Sequence, residues 1–361
     1  MKKIVTVIGA RPQFIKAAVL SRIIKENDAV EEVIIHTGQH FDTNMSKIFF
    51  DEMMIPEPNY NLEINSMSHA AMTGQMMEKI EKVLEIEKPD ALIVYGDTNS
   101  TIAGALAAKK MNIKVVHIEA GLRSFNMKMP EEINRILTDR ISDLLSCPSK
   151  GAINNLHNEG FHNLPVLIEN HGDIMKDAVN YYSQFSENKS SIIKDQKLQK
   201  NEFVLATIHR QENTDDEKKL RSIFLGLEEI HKTHTVILPM HPRTKSVLNK
   251  LSIHPKIRVI EPVGYYDMLE LLKNCSMVIT DSGGLQKEAF FNRKQCIVVR
   301  EETEWVELVS NGFAKVVGSN TKMILQTFDT YKDLKNDFSI DLYGTNVGEK
   351  IYQSISQLIH S

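Results

Sequence analysis

The stretch MVITDSGGLQKEA, Met277–Ala289, decides the fold class. Met277–Thr280 is a short apolar and β-branched run, which reads as a strand, and a helical pattern begins by Leu285. Between them stand Asp281, Ser282, Gly283 and Gly284. A strand that enters a helix through small residues leaves free backbone N–H groups at the helix start, where an anion is favoured. The glycines permit close approach, Ser282 adds a hydroxyl donor, and Glu288 lies four residues beyond Gly284, where it could accept both hydroxyls of a ribose. The combination points to a nucleoside diphosphate. Strand, small-residue turn and helix in that order is the repeating unit of a parallel α/β sheet.

The same alternation extends in both directions. Candidate strands are Ile4–Ile8, Val33–His36, Ala91–Tyr95, Val115–Ile118, Phe203–Ile208, Thr235–Pro239, Arg258–Ile260, Met277–Thr280 and Cys296–Val299. Amphipathic stretches separate them, such as Thr73–Glu85, with Met76, Met77, Ile80, Val83 and Leu84 at helical spacing and Gln75 among them. The polar run over 183–201 interrupts the series, which restarts at Phe203. The expected architecture is α/β, two Rossmann-like domains facing a cleft. The first domain is expected at 1–170 plus 346–361 and the second at 171–345.

The 361 residues suit two domains of ordinary size. With 42% hydrophobic and 25% charged residues the chain reads as soluble and globular, and a net charge of -4 excludes a general nucleic-acid binder. No apolar run reaches the length of a membrane span, and the start lacks a secretory apolar region. Cys147, Cys275 and Cys296 are far apart and read as reduced, buried thiols, so a cytoplasmic protein with no membrane partner is expected. His231 and His234 have metal-like spacing but read as a solvated helix end, and no metal or cofactor is expected.

Ligands of open α/β sheets bind beyond the carboxyl ends of the strands. After the first strand comes Gly9-Ala10-Arg11-Pro12, which has too few glycines for a dinucleotide fingerprint; Arg11 either projects at a ligand or caps a neighbouring helix. Asp97 follows Ala91–Tyr95, Glu119 follows Val115–Ile118, and Glu131 opens a helix at Pro130 with Arg135 one turn on. Asp97 alone reads as a helix cap and Glu131–Arg135 as an exposed ion pair. Three carboxylates at neighbouring strand ends instead suggest proton transfer. In the second half His209 follows Phe203–Ile208, and His241 and Arg243 follow Thr235–Pro239. Anion-binding groups in one half and acid/base groups in the other fit a nucleotide-sugar.

The motifs GARPQFIK, TGQH, YGDTNST, HIEAGLRS, MPEEINR, TIHRQEN, PMHPRT and TDSGGLQKEA fall in this order over about residues 1–310. Together they resemble the non-hydrolysing UDP-N-acetylglucosamine 2-epimerases. The resemblance implies a glycosyltransferase-B type fold whose C-terminal helix returns to the first domain. It implies inversion at C2 of a UDP-2-acetamido sugar by elimination and re-addition of UDP, supplying precursors of surface polysaccharide. By motif, Asp97, Glu119, Glu131 and His209 are the catalytic candidates. Arg11, Lys16, Gln39, Gln75, Arg135, His241, Arg243, Ser282, Gly283, Gly284, Glu288 and Arg300 are the substrate-binding ones. A UDP-sugar substrate and a homodimer are expected.

Three departures from that pattern stand out. Thr303-Glu304-Trp305-Val306-Glu307 replaces the usual Thr-Glu-Arg-Pro-Glu, Tyr343-Gly344-Thr345-Asn346 replaces a YGDG turn, and Phe41 follows TGQH where many bacterial members have arginine. The first, with Ser124-Phe125-Asn126-Met127, resembles the branch acting on UDP-2,3-diacetamido-2,3-dideoxy-glucuronate. Phe41 bears on allosteric substrate binding seen in some members. Trp305 either offers its indole to an extra acetamido methyl or packs in the core. A glycosyltransferase with a UDP-sugar donor and a hydrolysing 2-epimerase are the competing enzyme readings, and a UDP-sugar sensor the non-enzyme one.

Overall fold

The computed structural model describes residues 1–27, 29–39 and 56–360, and the side chain of Arg11 lies outside the description. The chain forms two compact units, Met1–Ala178 with Asp341–Ser361, and Val179–Ile340. The elements of the first unit are β1 (Lys2–Ile8), α1 (Arg11–Asn27), β2 (Val30–His36), β3 (Tyr60–Asn61), α2 (His69–Glu87), β4 (Ala91–Tyr95), α3 (Asn99–Lys110), β5 (Lys114–Ile118), α4 (Pro130–Ile141), β6 (Leu144–Cys147), α5 (Lys150–Asn158), β7 (Leu167–Asn170) and the start of α6 (Ile174–Lys189). Its strands pair in parallel in the order β3-β2-β1-β4-β5-β6-β7. Alternate residues of β1 fill the two faces. Val5 and Val7 join Leu92, Val94, Met76 and Ile80 in one apolar cluster, while Ile4 and Ile8 are equally buried, as expected for a sheet covered on both sides.

The second unit begins within α6 and continues with α7 (Ile192–Asp195), β8 (Phe203–Thr207), α8 (Gln211–Thr214), α9 (Glu217–His231), β9 (Thr235–Pro239), α10 (Pro242–Lys250), β10 (Arg258–Ile260), α11 (Tyr265–Asn274), β11 (Met277–Thr280), α12 (Gly283–Phe291), β12 (Gln295–Val298), α13 (Val306–Ser310), β13 (Ala314–Val316) and α14 (Thr321–Tyr331). Its parallel sheet has the order β10-β9-β8-β11-β12-β13. The polar run over 183–201 is largely helical, because Tyr182, Ser186 and their neighbours pack on α11 through Tyr265 and Glu270. Strands β3, β6, β7 and β13, each of two to four residues, are absent from the sequence reading. The three cysteines are free and buried, and burial pushes the Cys275 thiol up to about 12. His231 turns its Nδ1 to accept from Val236 N–H (2.9 Å), a local cap at the end of α9.

The chain ends in α15 (Val347–His360), which packs on α1 of the first unit. A Cβ at Gly348 would lie 2.6 Å from Ile23 Cδ1, so the two helices meet closely there. Lys114 Nζ donates to the Leu358 carbonyl (2.6 Å). A polar latch joins the same helix to β7: His171 Nε2 meets Ser354 Oγ (2.9 Å) and Glu169 Oε2 (2.6 Å), Nδ1 meets Ser146 Oγ (2.9 Å), and Ser354 also donates to Glu169.

Burial holds the His171 imidazole below its ordinary 6.5, with Lys350 adding to the effect and Glu169 opposing it. The folded chain therefore binds this proton less readily than the unfolded chain, and protonation favours unfolding. The latch contributes fully above pH 6.5 and loses stability as pH falls below that value. Urea unfolding of wild type and His171→Gln between pH 5 and 8, about the range in which a histidine titrates, measures this. The wild type is expected to lose more stability on acidification than the variant.

Candidate active site

In each sheet the strand order reverses once, between β1 and β4 and between β8 and β11. The helices after two such strands leave in opposite directions, and the strand ends open a crevice where ligands bind. Asp97 follows β4 at the first of these places, and His209 and Ser282 follow β8 and β11 at the second.

In the first unit Lys16 of α1 is buried and its ammonium pairs with the Glu119 carboxylate. Glu119 has φ +72°, a left-handed conformation that costs a residue with a Cβ about 1–3 kcal/mol. The N–H groups of Glu119 and Ala120 both donate to the Ser146 carbonyl (3.0 Å each), which holds the turn. Asp97, at the end of β4, accepts from Arg135 Nε (3.0 Å) and Nη2 (2.7 Å), while Asn134 Nδ2 donates to the Asp97 carbonyl (2.9 Å). Arg135 is buried, so its pairing is no exposed helix-surface contact, and its third bond runs to the buried Glu132 (2.6 Å). Glu132 also accepts from Ser124 N and Oγ and from Phe125 N (3.0, 3.1 and 2.9 Å), folding the loop ahead of α4. Glu131 is half-buried in the first turn of α4. Gln39 accepts from Ser100 N (3.1 Å) and Oγ (2.8 Å) at the start of α3. Gln75 is exposed on α2 and is not drawn into this cluster. His40 and Phe41 lie outside the described residues.

Gln13 organises the same strand ends, although nothing in the sequence marked it. Its Oε1 accepts from Gly9 and Ala10 N–H (2.8 and 3.0 Å), and its Nε2 donates to the Tyr95 carbonyl, Thr98 Oγ1 and Thr101 Oγ1 (2.7, 3.0 and 3.0 Å). One buried amide thus ties the turn after β1 to the turn after β4.

In the second unit the organiser is Asp281, fully buried at the end of β11. It accepts from His209 N (3.0 Å to both oxygens), Arg210 N (3.0 Å) and Asn213 Nδ2 (3.1 Å), and so shapes the turn after β8. The His209 ring stacks on His241 at 5.4 Å. Burial holds His209 below its ordinary value, helped by Arg210 and opposed by Asp281, which favours the neutral imidazole able to accept a proton. Ser282 stands at the N-cap of α12, yet its hydroxyl makes no cap bond to its own helix. A Cβ at Gly283 would lie 2.8 Å from Glu304 Oε1, whereas one at Gly284 would meet nothing within 4 Å. Gly283 is therefore small to admit a carboxylate, and Gly284 faces open space that a ligand can use. Glu288 is buried one turn further along.

Two substrate-binding candidates also bond protein groups. Arg300 is buried, donating through Nε to Glu212 (3.1 Å) and through Nη1 to Glu304 (2.9 Å). Arg243 donates to Thr214 Oγ1 (3.2 Å) and Asp215 (2.7 Å). Among the described residues no group of three or more His, Cys, Asp or Glu side chains could hold a metal ion, and no helix is long and apolar enough to cross a membrane.

Residues 22–356 match the UDP-N-acetylglucosamine 2-epimerase family. The chain belongs to that family. It is 51% identical to the UDP-2,3-diacetamido-2,3-dideoxy-D-glucuronate 2-epimerase of Pseudomonas aeruginosa over 91% of this chain and 92% of that protein. It is 44% identical to a UDP-N-acetylglucosamine 2-epimerase of Methanococcus maripaludis over 90% of each chain. The crystal structure of the Methanocaldococcus jannaschii UDP-GlcNAc 2-epimerase with UDP-GlcNAc and UDP superposes with a TM-score of 0.92 at 39% identity, covering 99% of this chain and 100% of that one.

Within this family framework Trp305 takes the packing role, not the ligand-facing one. It is 2% exposed, and the buried Lys287 ammonium lies 3.9 Å from its ring centroid. Helix α12 brings Lys287 over the indole. Trp305→Arg would place a second cation against Lys287 in the interior. Differential scanning calorimetry is expected to show a lowered transition, and the ratio of kcat/KM for the two UDP-sugars is expected to stay unchanged.

Proposed function

We propose that this chain is a UDP-2-acetamido-sugar 2-epimerase whose preferred substrate is UDP-2,3-diacetamido-2,3-dideoxy-glucuronate. The observation that carries the reaction is the pair of carboxylate-bearing strand ends: Asp97 clamped by Arg135, and Glu119 held at positive φ beside Lys16. The 51% identity to the Pseudomonas aeruginosa enzyme supports the choice of substrate. UDP-GlcNAc, on which the 44% identical relative acts by name, is the second reading.

The C2 hydrogen of such a sugar is not adjacent to a carbonyl, so its removal follows departure of UDP. The C1–O bond breaks with its electron pair going to the diphosphate, and cations and N–H groups stabilise the charge that develops there. In this reading Ser282, the α12 N-terminus and His241 hold the nucleotide, and Glu288 takes the ribose. One carboxylate takes the C2 proton, leaving a C1–C2 double bond. A proton is then returned to the opposite face of C2 while the diphosphate oxygen re-forms the bond to C1. Groups on both faces are needed, which Asp97, Glu119 and Glu131 supply, with neutral His209 as a further acceptor. A glycosyltransferase would need no such acid/base set. We also propose a homodimer, supported by Ile133 and Leu137, exposed one turn apart on α4.

In D2O, NMR of either nucleotide-sugar with the enzyme is expected to show the C2 epimer carrying solvent deuterium at C2, without added NAD or metal. Release of free sugar would mark the hydrolysing reaction, and epimer without label would overturn elimination. The roles of the residues separate in variants. Ser282→Ala and Glu288→Gln are expected to weaken UDP binding by roughly 1–3 kcal/mol in calorimetry. Asp97→Asn and Glu131→Gln are expected to bind UDP almost normally while turnover falls by about 10²-fold or more. Equal loss of UDP affinity in both pairs would contradict this allocation.

A further inference from the structure

We propose that His117 and Asp139 are positioning residues that staple together the two carboxylate-bearing turns of the first unit. The proposal rests on the reading of Asp97 and Glu119 as proton-transfer groups. His117 belongs to β5 and Asp139 to α4, and both are fully buried. His117 Nδ1 meets Asp139 Oδ1 at 2.7 Å, and Nε2 meets the Gly96 carbonyl at 2.7 Å. The second Asp139 oxygen accepts from Gly121 N (3.1 Å) and Arg123 Nη1 (2.7 Å). Gly96 immediately precedes Asp97, and Gly121 lies two residues after Glu119. One dyad therefore reaches the turn after β4 with its ring and the turn after β5 with its carboxylate.

The hydrogen bonds dictate where the protons are. A carbonyl oxygen only accepts, so Nε2 carries a proton, and Nδ1 faces a carboxyl group that has Arg123 on its other oxygen. Burial opposes ionisation of Asp139, but the hydrogen bonds and charges of His117 and Arg123 outweigh it and hold the carboxyl below its usual range. Arg123 is anchored in turn by Glu159 through Nε (2.7 Å) and Nη2 (2.8 Å).

These turns need such support. Gly96, Glu119 and Gly121 all have positive φ, +62°, +72° and +78°. A Cβ at Gly121 would lie 2.6 Å from the Ala152 carbonyl, so that turn is pressed against α5 and has one close-fitting seat. The dyad spends both its free ends on backbone groups of the two turns that carry Asp97 and Glu119. Misplacement of reacting groups by about 1 Å can cost 10²-fold in rate, which makes backbone positioning here a catalytic matter.

The test uses the full-length enzyme and a UDP-sugar that it epimerises. His117→Gln and Asp139→Asn are expected to lower kcat by about tenfold to a hundredfold, while KM changes by less than about threefold and UDP affinity is unaltered. In the wild type, NMR is expected to show a slowly exchanging Nε2–H of His117 held by the Gly96 carbonyl, a measurement that does not depend on either variant folding. Full turnover in a folded variant, or a His117 Nε2 that carries no proton in the wild type, would overturn the proposal alone. A wild type that epimerises no UDP-sugar would overturn the reaction reading and the proposal with it.

Discussion

Each sheet contains one pair of adjacent parallel strands whose following helices depart in opposite directions, β1 with β4 and β8 with β11. Everything chemically distinctive in the chain depends on those two reversals. Elsewhere in a parallel sheet the loop after one strand crowds the loop after its neighbour. At a reversal the loops diverge, and backbone N–H groups at the helix starts are left without partners from the sheet. Asp97, Ser282 and His209 are held at such ends, and Glu119 one strand further along.

Buried carboxylates build these ends. Glu132 gathers the N–H groups of the loop before α4, Asp139 takes the Gly121 N–H, and Asp281 takes those of His209 and Arg210. All three are almost fully buried and saturated with donors. That is the condition under which an ionised group survives in the interior. Asp97 differs. Its side chain is 31% exposed and is held on one side by Arg135, leaving it accessible in a way that the three structural acids are not. Exposure and saturation, more than charge, separate the acids that shape the site from those available for chemistry.

The replacement of the usual arginine by Trp305 illustrates how a departure from a family pattern can be absorbed by its surroundings. The indole faces Lys287, and Thr303 Oγ1 accepts from Trp305 N (3.2 Å) while donating to Gln286 (2.7 Å). The run after β12 is therefore locked to the flank of α12, and Glu304 is brought against Gly283 at the start of that helix, where negative charge is favoured. A change in this run acts on the start of α12 through packing and helix position.

The alternation of short apolar runs with amphipathic stretches was sufficient, by itself, to determine two parallel α/β sheets, because buried strands and helices of this class leave distinct periods in the sequence. The turns of interest were legible for the same reason: glycines, carboxylates and histidines at strand ends have no place in a core. Tertiary structure decided the rest. Gln13, Asp139 and Asp281 look like ordinary polar residues until the chain brings them to backbone groups as many as 82 residues away, as between Gln13 and Tyr95. Arg135 reads as a helix-surface ion pair in sequence but is buried across Asp97 and Glu132. Arg300, which the motif put on substrate, also donates to Glu212 and Glu304, partners that lie 88 and 4 residues away. Local sequence carries periodicity and propensity. Which polar group finds which partner depends on contacts between residues distant along the chain, and only the folded sheets bring those into hydrogen-bonding reach.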